Sequence, residues 1–223
     1  MSKQKEHMSG KKQQKTQAGW LVLIGLVLVL VVGLSIVYSH KQSENSSARP
    51  GGVQALAVDP RDGHILKATS DGLFQSLDNG KSWQAMMLPV DVAGKGVSQV
   101  TIRNDQPDTI YIAGEQIGIW RSRDAGKTWE KVTRGLANES VTALALHSNG
   151  YPHDDRKSVF AWVAGVGIFE SQDEGDNWKR LPDQGPPNPN VLALTHSALQ
   201  GSMNTGWVYA STPDGAYLSM DCF

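Results

Sequence analysis

The 223-residue sequence predicts an all-β fold: a β-propeller array of about four repeats, each a blade of four antiparallel strands, preceded by one N-terminal transmembrane α-helix. A motif of Ser, x, Asp, x, Gly and, three places on, Trp recurs at Ser76, Asp78, Gly80, Trp83, at Ser122, Asp124, Gly126, Trp129 and at Ser171, Asp173, Gly175, Trp178. A fourth copy opens with Ser219 and Asp221 and has Phe223 at the Gly position. The aspartates fall at 78, 124, 173 and 221, in steps of 46, 49 and 48, a period that marks a propeller or another repeat array. Each copy closes the same succession of short β-prone segments, and residues 20–38 form a separate, charge-free apolar run.

In chain order, residues 1–17 are a polar head with Lys3, Lys5, Lys11, Lys12 and Lys15 against Glu6. Residues 18–39 hold the predicted membrane helix. Trp20 to Tyr38 would rise about 28 Å, close to the roughly 30 Å hydrocarbon layer, with Trp20 and Tyr38 at the two interfaces. A cleaved signal peptide or a buried core helix fits less well, because the only cleavage-like site is Val37-Tyr38-Ser39. The lysine bias keeps the N-terminus in the cytoplasm and places everything after residue 39 in the periplasm or outside the cell. Gly19, Gly25 and Gly33 form no G-x-x-x-G pair, so the helix gives no dimerisation signal. Residues 40–52 (HKQSENSSARPGG) read as a flexible tether, about 20 Å as a coil and roughly 45 Å stretched, which holds the domain near the membrane.

The repeats divide as 53–96, 97–140, 141–190 and an incomplete 191–223. Their inner strands are predicted at VQALAV from Val53, VSQVTI from Val97, VTALAL from Val141 and VLALTH from Val191, small apolar runs suited to the crowded axis. Second strands follow at Ile65 to Ala68, Ile110 to Ala113, Val159 to Trp162 and Trp207 to Ala210. Glycine turns at Gly72, Gly118, Gly167 and Gly215 lead into third strands that carry Phe74, Trp120, Phe169 and Tyr217. The motif hairpin comes next, then an outer strand such as Trp83 to Leu88. Three blades are complete and the fourth stops inside its motif, so the expectation is an open arc, from a truncated product of a longer gene or a chain that needs a partner to close the ring. A stack of hairpins in a sandwich would not demand the same turn chemistry at a fixed period.

Within the motif, an Asp two residues before Gly suits a tight turn: the carboxylate accepts backbone N–H groups and the Gly takes positive φ. Trp supplies a large apolar anchor beneath the hairpin. The pattern resembles the Asp-box, or BNR repeat, of sialidase-type propellers, sortilin-type receptors and photosystem II assembly-factor propellers (WD40/YVTN/BNR-like). The likeness covers roughly residues 53–223. It implies that the boxes are structural turns on one face and that ligands meet the opposite face. Resemblance of fold does not carry chemistry with it.

That opposite face is predicted to present Asp71, Lys95, Glu115, Arg134, Glu139, Asp183 and Asp214. A sialidase-like site needs three converging arginines, a tyrosine nucleophile with an acid partner, and a further acid. The face offers only Arg134 and no tyrosine, while Arg103, Arg121 and Arg123 lie on other strands. No catalytic residue is assigned. Paired carboxylates for ordinary glycoside hydrolysis stay open among Asp71, Glu115, Asp183 and Asp214. His147, His153, Asp154 and Asp155 match no ligand spacing, so no metal and no cofactor are expected. Cys222 is the only cysteine, which rules out an intrachain disulfide. After residue 39, 16 Lys and Arg face 21 Asp and Glu, a net of −5 that argues against nucleic acid or anionic lipid. The sequence thus points to a membrane-anchored, extracytoplasmic binding or assembly module for a membrane protein or complex. A sialidase-like glycoside hydrolase acting on extracytoplasmic glycans is the alternative.

Overall fold

Short strands rich in Val, Ile, Ala and aromatic residues, punctuated by Gly and Asp turns, pair with their sequence neighbours because each connection is too short for anything else. A computed structural model describes residues 52–147, 157–182, 185–197 and 207–219. The cytoplasmic head, the membrane helix and nearly all of the tether lie outside these residues, as do His153, Asp154, Asp155, Asp183, Asp221, Cys222 and Phe223. Among the described residues no helix is long and apolar enough to cross a membrane.

Blade 1 is β1 (Val53–Val58), β2 (Ile65–Thr69), β3 (Gly72–Ser76) and β4 (Gln84–Ala85), paired in that order. Blade 2 repeats it with β5 (Gln99–Ile102), β6 (Ile110–Gly114), β7 (Gly118–Ser122) and β8 (Glu130–Lys131). Blade 3 has β9 (Val141–Leu146), β10 (Val159–Val163), β11 (Gly167–Ser171) and β12 (Lys179–Arg180). Blade 4 shows three strands among the described residues, β13 (Ala193–Ser197), β14 (Trp207–Thr212) and β15 (Gly215–Leu218). Every pairing is antiparallel. The domain is an all-β, four-bladed propeller array.

Two expectations are corrected. Outer strands are two residues long, not six, because Trp83 precedes the ladder and the chain leaves after one further bond, Met86 N–H to Leu73 O at 2.9 Å. The second and fourth inner strands begin two residues late. Val97 N–H bonds Thr69 O in the preceding blade, and Val191 O accepts from Thr142 Oγ1, so both valines bridge blades instead of starting strands.

Three apolar clusters stack the blades. Leu66, Ala68 and Leu73 of blade 1 meet Val100, Ile102, Ile110, Ile112 and Trp120 of blade 2. Tyr111, Ala113, Ile119 and Val132 meet Val159, Ala161, Phe169 and Trp178 of blade 3. Phe160, Trp162, Ile168 and Leu181 then meet Leu194, Val208 and Ala210 of blade 4. Each blade therefore has a forward side and a backward side set by the two-residue alternation of its strands. No apolar cluster of described residues joins blade 4 to blade 1.

The boxes form as the motif predicts. Ser122 Oγ donates to Asp124 Oδ1 at 2.8 Å and accepts Gly126 N–H at 2.8 Å, while Asp124 accepts both Thr128 N–H and Thr128 Oγ1–H. Ser76 with Asp78 and Ser171 with Asp173 repeat the same bonds. These bonds to Ser82 and Thr128 hold the Asp78 and Asp124 carboxyls down at about 2. Positive φ extends one residue earlier than expected, to Asn79, Ala125 and Glu174. The tryptophan rings lie against the box glycines, as predicted: Cζ2 of Trp83, Trp129 and Trp178 comes within 3.8, 3.5 and 3.7 Å of where a Cβ on Gly80, Gly126 and Gly175 would stand, and the last two rings also reach back to the preceding blade. Trp129 Nε1–H donates to Met87 O at 3.1 Å and Trp178 Nε1–H to Val132 O at 2.8 Å. Trp178 is 4% exposed, whereas Trp129 and Trp83 are half-buried.

Candidate functional site: the axial cleft

The four inner strands converge on one axis, and because apolar side chains are spent on blade stacking, the axis is left as a cleft. At the end opposite the boxes a cavity of about 520 Å³ is lined by Gln54, Ser70, Lys95, Ser98, Gln99, Glu115, Thr142, Asn190 and Leu192, among others. Its wall is tied across blades: Gln99 Nε2–H donates to Thr142 O at 2.7 Å and Thr142 Oγ1–H to Val191 O at 3.0 Å. This fixes three blades around a mouth of amide and hydroxyl groups, a surface suited to hydrogen-bonding an extended chain.

Of the seven predicted face residues, Lys95 and Glu115 line this mouth. Asp71 is exposed on its two-residue turn, its N–H bonded to Thr69 Oγ1. Asp214 occupies the same turn in blade 4 and accepts Asn188 Nδ2–H at 2.8 Å. Glu139 is paired with Lys131, and Arg134 contributes only its carbonyl, which accepts Trp178 N–H at 2.8 Å. Asp183 is outside the described residues. The box residues Ser76, Ser122 and Ser171 are buried at the other end of the blades.

At the box end the cleft opens to about 580 Å³ between Leu56, Val58, Ile102, Arg103, Asp105, Leu144, His147, Leu194 and His196, with further inner-strand residues. Leu56 and Val58 are 59% and 57% exposed. The His147 and His196 rings lie 4.2 Å apart, and Phe160 stacks behind His196.

Beside this end, Arg103, Tyr111, Arg121 and Arg123 do gather, which the separation of these residues along the strands concealed. The Arg103 guanidinium grips Asp105 at 3.0 and 3.1 Å; Arg121 bonds Glu130, Asp176 and the Glu174 carbonyl; Arg123 bridges Glu130 and Glu174. Tyr111 Oη–H also donates to the Glu174 carbonyl, and burial pushes its phenol up to about 12. Arg121 and Arg123 thus lock the blade 3 box onto blade 2, whereas Arg103 is held by Asp105 within blade 2. They do not face a substrate carboxylate. Among the described residues no group of three or more His, Cys, Asp or Glu side chains is placed to hold a metal ion.

Gln99 and Thr142 are site residues that the sequence reading passed over. Their signal was a polar residue inside an otherwise apolar inner strand, at Gln99 and Thr142.

The BNR/Asp-box repeat model matches residues 120–131, the blade 2 box. A xyloglucanase of Paenibacillus sp is 30% identical over 168 residues, covering 60% of this chain and 16% of that protein. A vacuolar protein sorting/targeting protein 10 of Coccidioides posadasii is 24% identical over 95 residues, 42% of this chain and 6% of its own length. Among solved structures, an ancestral GH74 enzyme superposes with a TM-score of 0.56 at 20% identity over 77% of this chain and 23% of that one. YCF48 bound to D1 peptide gives 0.52 at 18% identity over 73% and 49%. The chain spans 16% and 23% of the first two xyloglucanases it matches. It carries BNR/Asp-box repeats on propeller blades, similar to GH74, YCF48 and sorting-receptor propellers.

Proposed function

We propose that this chain is a membrane-anchored, extracytoplasmic binding module, held by the helix at residues 20–38, whose axial cleft takes an extended segment of a membrane protein or complex. The observation that carries this reading is the carboxylate distribution. Glycoside hydrolysis needs two carboxyl groups about 5 to 9.5 Å apart on one site. Among the described residues, the mouth opposite the boxes is lined by Glu115 alone, and the box end by Asp105 alone, whose two oxygens are occupied by Arg103. Neither lining includes Trp, Tyr or Phe, the flat faces on which sugar rings stack. The similarity to a YCF48 structure holding a peptide agrees with this reading.

The similarity to xyloglucanases supports a second reading, a glycoside hydrolase acting on glycans outside the membrane. One experiment separates the two. The full chain is solubilised with its membrane in mild detergent and affinity-purified; the same preparation is assayed for reducing-sugar release from xyloglucan. The binding reading expects a stoichiometric membrane protein, lost on Gln99→Ala with Thr142→Val, and no sugar release. Sugar release without a partner would establish the second reading.

A further inference from the structure

The innermost strand of each blade has one edge paired with the second strand and one edge turned to the axis. In β9 the register settles which backbone groups go where. His147 N–H bonds Ser158 O at 2.9 Å, and bonded pairs alternate with unbonded ones along an antiparallel ladder, so Ala145 with Phe160 and Ala143 with Trp162 are the bonded pairs. Leu144 and Leu146 stand opposite Ala161 and Val159 in unbonded pairs, and their N–H and C=O groups turn the other way, to the cleft. In β5 the Arg103 N–H bond to Thr109 O likewise leaves Val100 and Ile102 with their backbone groups on the axis. None of these four residues bonds the backbone of another blade among the described residues. Blades 2 and 3 both have a neighbour on either side, so these edges belong to the interior of the array.

Backbone groups withdrawn from bulk water need partners. At β9 a side chain already supplies one. Gln99 Nε2–H reaches across from blade 2 and donates to Thr142 O at 2.7 Å, the bond that the N–H of an added strand would make two residues before Leu144. Among the described residues no side chain of blade 1 does the same for β5. The next two positions, Leu144 and Leu146, both line the cavity of about 580 Å³ at the box end. They offer donor and acceptor together at a repeat of two residues, roughly 6.8 Å, which is the spacing of a polypeptide strand.

We propose that β9 is the docking edge of the cleft: an extended polypeptide segment adds to it as a further strand, bonded main chain to main chain at Leu144 and Leu146. Strand addition of this kind draws affinity from the ligand's backbone and leaves selectivity to alternate side chains. One set would turn to the side of Leu144 and Leu146, the other to the side of Ala145 and His147, where the His196 ring lies 4.2 Å from that of His147. The inference rests on the reading that the cleft takes an extended segment, and it names the ligand class as a polypeptide with free N–H groups at alternate residues.

The test uses the full chain in dodecyl maltoside and, as probe, a twelve-residue peptide selected on it from a random phage-displayed library. Hydrogen exchange resolved to single residues should find the Leu144 and Leu146 amides of the free chain exchanging fast between slow Ala145 and His147. Bound peptide should slow Leu144 and Leu146 at least tenfold and leave Val100 and Ile102 unchanged. N-methylation of one alternate set of peptide residues should abolish binding, and methylation of the other set should be tolerated, because an added strand turns every second N–H to its neighbour. Leu146→Pro removes only an axial N–H from the backbone and should raise the dissociation constant at least tenfold, whereas Leu146→Ala should change it less than about threefold, with circular dichroism reporting the fold of each. No selected binder, unchanged exchange at Leu144 and Leu146 on binding, or equal effects of the two methylation sets would each overturn strand addition to β9. A membrane protein captured by the cleft while those two amides still exchange fast would sink this inference and spare the binding reading. A peptide that protects them, with no membrane protein captured, would do the reverse.

Discussion

Trp178→Ala should cost far more than Trp83→Ala, although the two boxes are alike in sequence. Trp178 is 4% exposed, packs in the blade 2 to blade 3 cluster and donates its indole N–H to Val132 O at 2.8 Å. Truncating a buried large aromatic costs about 3–5 kcal/mol, and leaving the Val132 carbonyl without its donor adds about 1–3 kcal/mol. Partial relaxation brings the expected total to roughly 4–6 kcal/mol. Trp83 is half-buried, has no preceding blade among the described residues and is covered chiefly by Lys67. Losing that contact and some burial amounts to about 1–2 kcal/mol. Urea unfolding followed by circular dichroism measures both; with an m-value of about 2 kcal/mol per molar the midpoints should fall by roughly 2–3 M and below 1 M. Trp129→Ala should lie between. Equal losses at 83 and 178 would refute the idea that box tryptophans stabilise by gripping the preceding blade.

Gly135→Ala should be among the most damaging small changes: at φ 94° its added Cβ would lie 2.3 Å from the Trp178 carbonyl oxygen, and the expected loss of more than about 2 kcal/mol is readable as a urea midpoint. Gly80→Ala, at φ 85° with nothing closer than 3.8 Å, should lose only the backbone cost of about 1 kcal/mol. Asp78 and Asp124 titrate near 2 in the fold, below their ordinary 3.8, so what they add is complete above about pH 5 and is lost as pH falls through 4 to 2. Asp124→Asn should therefore destabilise at pH 7 yet approach the wild type near pH 2, as seen in midpoints across that range. Arg121→Met should cost about 2–4 kcal/mol by removing buried charge-assisted bonds to Glu130 and Asp176, and should push the buried Tyr111 phenol further up, because the Arg121 cation favours the phenolate, as followed by ultraviolet titration.

The Asp-box spacing carried the blade count, the strand order and the turn chemistry, because Ser, Asp and Gly act through bonds two and four residues apart. Inter-blade contacts were less legible. Trp178 and Val132 meet through a packing direction that no local period encodes. Of the arginines placed on strands, Arg121 lies in β7, whereas Arg103 and Arg123 fall one residue past the ends of β5 and β7, and the meeting of Arg121 and Arg123 at Glu174 depends on the blade stacking. The face opposite the boxes was read from the connection rule, yet among its predicted residues that the structure describes only Lys95 and Glu115 line the cleft mouth. Asp71, Glu139 and Asp214 were chosen for charge, and exposed turn charges sit at the rim because desolvation excludes them from the axis. The cleft wall itself is made of Gln99 and Thr142, uncharged residues that fill hydrogen bonds around the axis.

The most direct test of the binding account places a photo-crosslinking benzoylphenylalanine at Gln54, on the cleft mouth, or at Val90, on the exposed loop after blade 1, in cells expressing the full chain. Irradiation and mass spectrometry should find one membrane protein joined at Gln54, competed away by no other site, and nothing specific at Val90. An adduct at Val90 with none at Gln54 would contradict the cleft as the binding site.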